Sequence, residues 1–325
     1  MSSASNDQGR AYEYAWISVL ESEIKNQRDV LIVENSSLDA NRKAWDSMSD
    51  KIKENYLVSA HCAAPTLFSL EPLLFDNRKD TLILEFQKDD AGMGGDVRDI
   101  VIKQEKIKWE IGLSIKHNHE AIKHSRLSAR LDFGKKWFGI ECTNSYWNAV
   151  SPIFDWLKEE KAKKRRWSDI SDKDERVYVP LLNAFMDEVN RAYSSDNQVP
   201  RKMIEYLIGV NDYYKIISHD SEHITIVRTF NIHGTLNQKQ LKDKNKPKEV
   251  SGTVIPVVEL PTELIELRFK PESKNTVEMY LNNGWQLSFR IHNASSRVEP
   301  SLKFDIQFIG IPPSVMKFEC HWDES

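Results

Sequence analysis

The stretch GDVRDIVIKQEKIKWEIGLSIKHN, residues 95–118, sets an aspartate before one apolar alternation and a lysine near the end of the next. Side chains alternate along a strand. Asp99, Val101 and Lys103 therefore share one face of the first segment, and Glu110, Gly112, Ser114 and Lys116 share one face of the second. Paired as a hairpin, the segments gather a carboxylate, further oxygen atoms and an amine on one patch. That set suits metal-assisted phosphodiester hydrolysis. Hard oxygen ligands hold Mg²⁺, while a nearby ammonium orients or deprotonates the attacking water and neutralises developing charge.

Turn length decides which residues meet. If the hairpin turns through Glu105 and Lys106 alone, Asp99 lies opposite Gly112, with Glu110 and Ser114 diagonal to it. If four residues form the turn, Asp99 faces Ser114 and lies diagonal to Lys116. A metal site at Asp99 would draw on a further acid nearby, and the sequence offers Glu110, Glu120, Asp96 and Glu141. Glu110 ranks first, being on the right face, and Asp99 with Glu110 is the expected metal pair. Glu120 ranks next, from the start of a following helix. Asp96 needs the adaptable backbone of Gly94 and Gly95 to turn to the site.

The elements that must position these groups are legible in outline. Tyr12, Trp16, Leu20 and Ile24 recur four apart, an apolar stripe for a core-facing helix, and a second helix follows Ser36 or Ser37. TLILEFQ, DIVIKQ and IKWEIGLSIK then alternate as three strands of a meander. Asn118 is placed to cap a helix from about His119 to Arg130, and KKWFGIECT, 135–143, reads as a strand, completing a parallel crossover. YVPLLNAFMDEVNRAY and RKMIEYLIGV read as helices, and NQKQLKDKNKPKEV as an exposed lysine-rich loop. VEMYLNNGWQLSFRIHNASS and PSLKFDIQFIGIPP give a hairpin and a β-rich ending.

The chain has 325 residues, 40% of them hydrophobic, enough for a sizeable core and for two domains or one with a large addition. Its net charge of −4 means that any polyanion-binding surface must arise by local segregation of the 45 Lys and Arg. Three scattered cysteines, Cys62, Cys142 and Cys320, fit neither a zinc pattern nor a disulfide framework and suggest a reducing cytoplasm. The N-terminus lacks the apolar core of a signal peptide, and no run approaches the ~20 apolar residues that cross a bilayer. On the expected helix after Lys116, His119, Lys123, Arg126 and Arg130 fall on one stripe suited to DNA phosphates.

The Asp99 and Ser114-Ile115-Lys116 arrangement, with the lysine 17 positions after the aspartate, resembles the PD-(D/E)xK nuclease core. Two departures stand out. Arg98 replaces the proline before the aspartate, and Ser114 occupies the position of the second acid. Glu13, in GRAYE, resembles the glutamate that this superfamily often contributes from its first helix. More specifically, GDVRDIVI, WEIGLSIKHNHEAIKHSRLSARLDFGKKWFGIECT and WQLSFRIHNASSRVEPSLKFDIQFIGIP resemble the HaeIII-type restriction endonucleases. The similarity runs from GRAYEYAW almost to the C-terminus.

This resemblance implies an α/β fold with a PD-(D/E)xK restriction-endonuclease-like core, a mixed sheet flanked by helices, followed by a helical middle region and a β-rich C-terminal region. It implies a Mg²⁺-dependent type II enzyme that binds double-stranded DNA at GGCC and cuts between G and C to leave blunt ends. A cytosine methyltransferase acts on the same site in the cell. A palindromic target fits a homodimer or a monomer that nicks twice. The expected division is 1–150 for the nuclease core, 151–250 for a helical, charged DNA-gripping region and 251–325 for sequence recognition. Guanine O6 and N7 call for Arg or Lys and cytosine N4 for an acid or carbonyl. RIHNASSR offers Arg290, His292, Asn293, Ser296 and Arg297 as a reading loop, while Lys164, Arg165 and Arg166, in the run that begins at Lys161, suit the backbone. Two other classes share the pattern: a repair or mobile-element nuclease without fixed sequence, and an inactive relative that only binds DNA.

Overall fold

Tyr12, Trp16, Leu20 and Ile24 are all fully buried, and they fix α1 (Ser2–Ile24) against α2 (Ser36–Asp46) and α3 (Asp50–Leu70). Asn35 caps α2 by accepting from the Leu38 N–H. This computed structural model describes residues 2–75, 80–87, 95–120, 122–237 and 253–322. The lysine-rich stretch lies almost wholly outside them.

The chain divides into two compact units, both discontinuous. The first holds Met1–Glu120, Val210–Val258 and Pro313–Ser325; the second holds Ala121–Gly209 and Glu259–Pro312. A boundary at 150 would fall inside a helix of the second unit, and one at 250 lies outside the described residues.

In the first unit, β1 (Val30–Ile32), β2 (Leu82–Phe86), β3 (Ile100–Gln104) and β4 (Trp109–His117) lead into a seven-stranded sheet. The expected meander is present, with β2, β3 and β4 antiparallel neighbours. The strand that pairs parallel with β4 is not residues 135–143, however. β5 (Lys123–Ser128) belongs to the second unit, and β6 (Tyr213–His219) is the parallel partner. β7 (Ile224–Phe230) follows, giving the order β1-β2-β3-β4-β6-β7 with a last C-terminal strand at the edge. The sheet is mixed and helix-flanked, as a restriction-endonuclease-like fold requires.

In the second unit, residues 123–128 form a strand where a helix was expected. Asn118 adopts a left-handed conformation (φ 50°) and gives its side-chain oxygen to the Asp220 N–H instead of to a helix. Ser125 and Leu127 turn inward and Arg126 outward, a period of two. Residues 133–138 form a helix, α4 (Phe133–Phe138), because Asp132 caps it through the Lys135 N–H and Gly139 ends it at φ 77°. Phe133, Trp137 and Phe138 bury one face of it. Helices α5 (Asn144–Ala162), α6 (Val179–Ser195) and α7 (Val199–Ile208) precede the return to β6. β8 (Leu264–Phe269), β9 (Thr276–Leu281), β10 (Gln286–His292) and β11 (Ser301–Gly310) build a sheet of order β5-β11-β10-β9-β8. The β9–β10 turn uses Asn282–Gly284, as the Asn-Asn-Gly signal implied. β12 (Lys317–His321) closes the first sheet beside β7. Among the described residues no helix is long and apolar enough to cross a membrane.

One buried carboxyl marks the core of the first unit. Glu71, at the end of α3, is fully buried and accepts from Tyr214 Oη at 2.6 Å and the Asn237 N–H at 2.7 Å, both on Oε1. Oε2 has no partner among the described residues. Burial pushes this carboxyl up to about 8 despite those bonds. A raised carboxyl favours the fold at low pH and loses that contribution as pH rises through the folded value. Glu71→Gln keeps the shape without the titration. Its thermal unfolding midpoint should stay near wild type at pH 4, rise relative to it between the unfolded value and about 8, and exceed it at pH 9; parallel pH profiles for the two proteins would contradict this account.

Candidate active site

The β3–β4 turn spans Glu105 to Lys108, with Lys108 left-handed at φ 50°. Four turn residues set the register Ile100↔Leu113 and Ile102↔Ile111. Of the two registers, this one puts Asp99 across from Ser114. The Asp99 N–H donates to the Leu113 carbonyl at 2.7 Å, and its Oδ2 accepts from the Ile115 N–H at 2.6 Å, bracketing Ser114 on either side. Oδ2 also accepts from Lys116 Nζ at 2.9 Å. Thus the two groups singled out by spacing touch.

Glu13 of α1 lies close enough to act on both charges. Burial, and then the Asp99 carboxylate, push its carboxyl up to about 8, against the lowering effects of Lys116 and of a 2.9 Å bond from Asn41 Nδ2. Burial opposes the charge on Lys116, yet Asp99 and then Glu13 hold it above the usual lysine range. A half-buried pair of acids beside one lysine favours a further positive charge. It fits a hard divalent cation that takes one or two carboxylates and keeps its waters. Among the described residues no cluster of three or more His, Cys, Asp or Glu is arranged to hold an ion.

The other acids are drawn elsewhere. Glu110 is on the expected face but opposite Lys103, four residues before Ser114 and so roughly 13 Å from it at ~3.3 Å per residue. It accepts from Arg98 Nη1 at 2.8 Å. Asp96 takes the rest of the same guanidinium, with Nη2–Oδ2 at 2.7 Å. Arg98 crosses directly over Gly112, where a Cβ would stand 1.9 Å from its Cδ; glycine lets the clamp close. Glu120 pairs with Arg228 at 2.8 Å and His219 at 3.1 Å. Glu141, in the second unit, pairs with Lys135 at 2.7 Å. The expected Asp99–Glu110 pair is therefore not brought together, because Arg98 holds Glu110 away.

Lys215 and Arg228 belong to the site's surroundings and were missed by sequence reasoning. Ser114 pairs with Lys215 on β6, and Lys215 with Arg228 on β7, so the three share a face across consecutive strands. Lys215 is 3% exposed. Burial, and next the charge of Lys116, push its amine down to about 7, although Glu120 works the other way. The signal was a lysine inside the apolar run YYKII.

The basic residues expected at DNA lie mainly in the second unit, and they divide. On β5 the inward Lys123 sits 3.9 Å over the Tyr206 ring and donates to the Tyr206 carbonyl at 2.8 Å; burial pushes it down to about 8. Arg126 faces outward, Arg130 is exposed in the following turn, and His119 is exposed after β4 in the first unit. With no helix there, the stripe does not exist. After α5, Arg165 is bound to Glu160 at 2.8 Å, whereas Lys164 and Arg166 are exposed. Arg166 bridges to Arg297, and the Trp167 N–H donates to the Ser296 carbonyl, so the two basic loops lie side by side. Asn293 ties its loop by donating to the Arg297 carbonyl and accepting from the Glu299 N–H. Arg290 and His292 project from the outer face of β10 beside Asp305.

Comparison with known proteins bears on this geometry. The family model described as HaeIII restriction endonuclease matches residues 9–312. The type II restriction enzyme HaeIII of Haemophilus aegyptius is 46% identical over 325 residues, covering 100% of both chains. No solved structure matches. A match of that extent settles the family: the chain belongs to the HaeIII restriction endonucleases and is a type II restriction enzyme, a site-specific DNA endonuclease.

Proposed function

We propose that this enzyme cuts double-stranded DNA at GGCC, between G and C, leaving blunt ends, with Mg²⁺ held by Asp99 and Glu13 and Lys116 at the scissile phosphate. Type II restriction endonucleases generally need a divalent metal. The target is what the sequence blocks shared with HaeIII-type enzymes imply. The observation that carries the site assignment is the 2.9 Å contact between Asp99 Oδ2 and Lys116 Nζ, with Glu13 beside it.

When bound, Mg²⁺ polarises the phosphate and offsets the charge that develops on it. Asp99, fixed by the backbone on both sides of Ser114, sets where the cation sits. Lys116, which donates to Asp99 Oδ2 at 2.9 Å, would place its ammonium on the phosphate oxygens and orient the attacking water. Lys215, beside Ser114 on β6 and pushed down to about 7 by burial, adds positive potential in its protonated form, which a low local dielectric strengthens. Arg130, Lys164, Arg166, Ser296 and Arg297 are exposed and placed to meet phosphates; Lys123, Arg165 and Asn293 instead hold the protein together. A palindromic target fits a homodimer, and a cytosine methyltransferase protects the host's own copies of the site in the cytoplasm.

A plasmid carrying known GGCC sites, incubated with Mg²⁺, should give discrete blunt fragments of the predicted sizes; a smear would mean cutting without fixed sequence, and no change would mean an inactive relative. Lys116→Ala should slow cleavage on the order of 10²–10³-fold while Ca²⁺-supported binding of the same DNA persists. Ca²⁺ should raise the thermal unfolding midpoint more at pH 8.5 than at pH 6, because the cation needs the ionised form of Glu13. Glu13→Gln should erase that increment. Without metal the same variant should melt above wild type at pH 8.5, since a raised carboxyl loses its contribution as pH passes about 8. Lys215→Met separates function from packing. A lowered lysine destabilises the fold as pH falls through about 7, so the variant should melt higher than wild type at pH 6, and by less at pH 9. Its cleavage rate should nonetheless fall by about tenfold or more; full activity would remove Lys215 from the site.

A further inference from the structure

The five-stranded sheet of the second unit has one apolar and one polar face. Leu127, Phe289, Ile291, Leu302, Phe304 and Ile306 are buried on the inner face. On the outer face the register sets Arg126 opposite Lys303 and Lys303 opposite His292, and in the next row Asp305 opposite Arg290. Asp305 sits among these side chains, 3.3 Å from the Arg290 guanidinium, 3.9 Å from the Lys303 amine and 3.5 Å from the His292 ring. Arg290 is 56% exposed. In a chain of net negative charge this is a local basic patch with a carboxylate placed inside it.

We propose that the outer face of β5, β11 and β10 reads the base edges of the target in the major groove, with Arg290 and Lys303 donating to guanine and Asp305 accepting from cytosine. The inference rests on the GGCC reading and names the residues that impose it. A G·C pair presents O6 and N7 acceptors beside an N4 donor. Arg290 and Asp305, directly opposite one another on adjacent strands, present the complementary donor and acceptor side by side. A surface that only gripped phosphates would gain nothing from Asp305, which repels them. In the absence of DNA the two satisfy each other through an exposed contact that opens readily. Access is also provided, since β5 is the edge of its sheet and the major groove admits a two-stranded ribbon. The loop that leaves β10 carries Ser296 and Arg297 next to Arg166, so phosphate contacts would flank the reading face.

The test is equilibrium binding by fluorescence anisotropy, with Ca²⁺ in place of Mg²⁺, to a GGCC duplex and to the same duplex with one G·C pair replaced by A·T, over a range of salt. Arg290→Lys keeps the charge and removes the two-pronged donor. It should cut the preference for GGCC by about tenfold or more, with affinity for the altered duplex and the salt slope unchanged. Asp305→Asn, nearly isosteric, should lower the same preference and guards against a folding defect in the first variant. Overturning results would be a wild-type preference in both variants, or equal weakening on both duplexes with a flatter salt slope, the mark of phosphate contacts. If wild-type enzyme shows no preference for GGCC, the target assignment itself fails and the reading face falls with it.

Discussion

A lysine that burial would neutralise is kept charged by an aspartate on the neighbouring strand, and the register of one hairpin decides whether the two meet. The inner-face pairs Ile100–Leu113 and Ile102–Ile111 are fully buried, so a slip of one residue would expose them and turn Asp99 to the wrong side. The hydrophobic core thus sets the geometry of the site. The converse dependence is weak. Breaking a fully desolvated ion pair costs about 3–5 kcal/mol, but Lys116 and Asp99 are 32% and 21% exposed, which reduces that figure through solvent screening. The pair is held by the fold more than it holds the fold.

Around this pair the acids are sorted by their cations. Arg98 takes Asp96 and Glu110 together, and Arg228 with His219 takes Glu120. Asp99 and Glu13 are left to share Lys116. The four acids weighed as the second ligand, Glu110, Glu120, Asp96 and Glu141, each have a cation partner of their own, whereas Asp99 and Glu13 both act on Lys116. Ser114 fits the same logic. A carboxylate there would add a third negative group beside Asp99 and Glu13, whereas a hydroxyl leaves Lys215, its neighbour on β6, to shift the balance the other way.

What could be read from sequence followed how local the cause was. The α1 stripe, the meander, the Asn-Asn-Gly hairpin and the Asp99–Lys116 relation all depend on period and turn chemistry, and all are visible in the chain. Residues 119–143 misled because their pattern is ambiguous: basic residues spaced for a helix are equally spaced for the outer and inner faces of a strand, and only pairing with β11 settles it. The Asp132 and Gly139 caps did mark α4, against an alternation that suggested β. The choice of Glu110 ahead of Glu120 shows a different limit of the sequence. It was argued from position on a strand, whereas Arg98, reaching over a glycine two residues away from Glu110, decides where that side chain goes.

The crossover between β4 and β6 shows how part of a second unit is added without disturbing the first unit's sheet. A parallel pair needs a connection, and here the connection carries most of a second unit, entered after Lys116's strand and left just before Lys215's. The insertion therefore grows from the two strands that carry the site's lysines. The register Ser114↔Lys215 holds those strands together through their own ladder, so residues within the insertion can change without disturbing the spacing of Asp99, Lys116 and Lys215. A sheet fixed by its own core can keep one geometry, while the second sheet, four of whose five strands come from the further segment Glu259–Pro312, is built apart from that ladder.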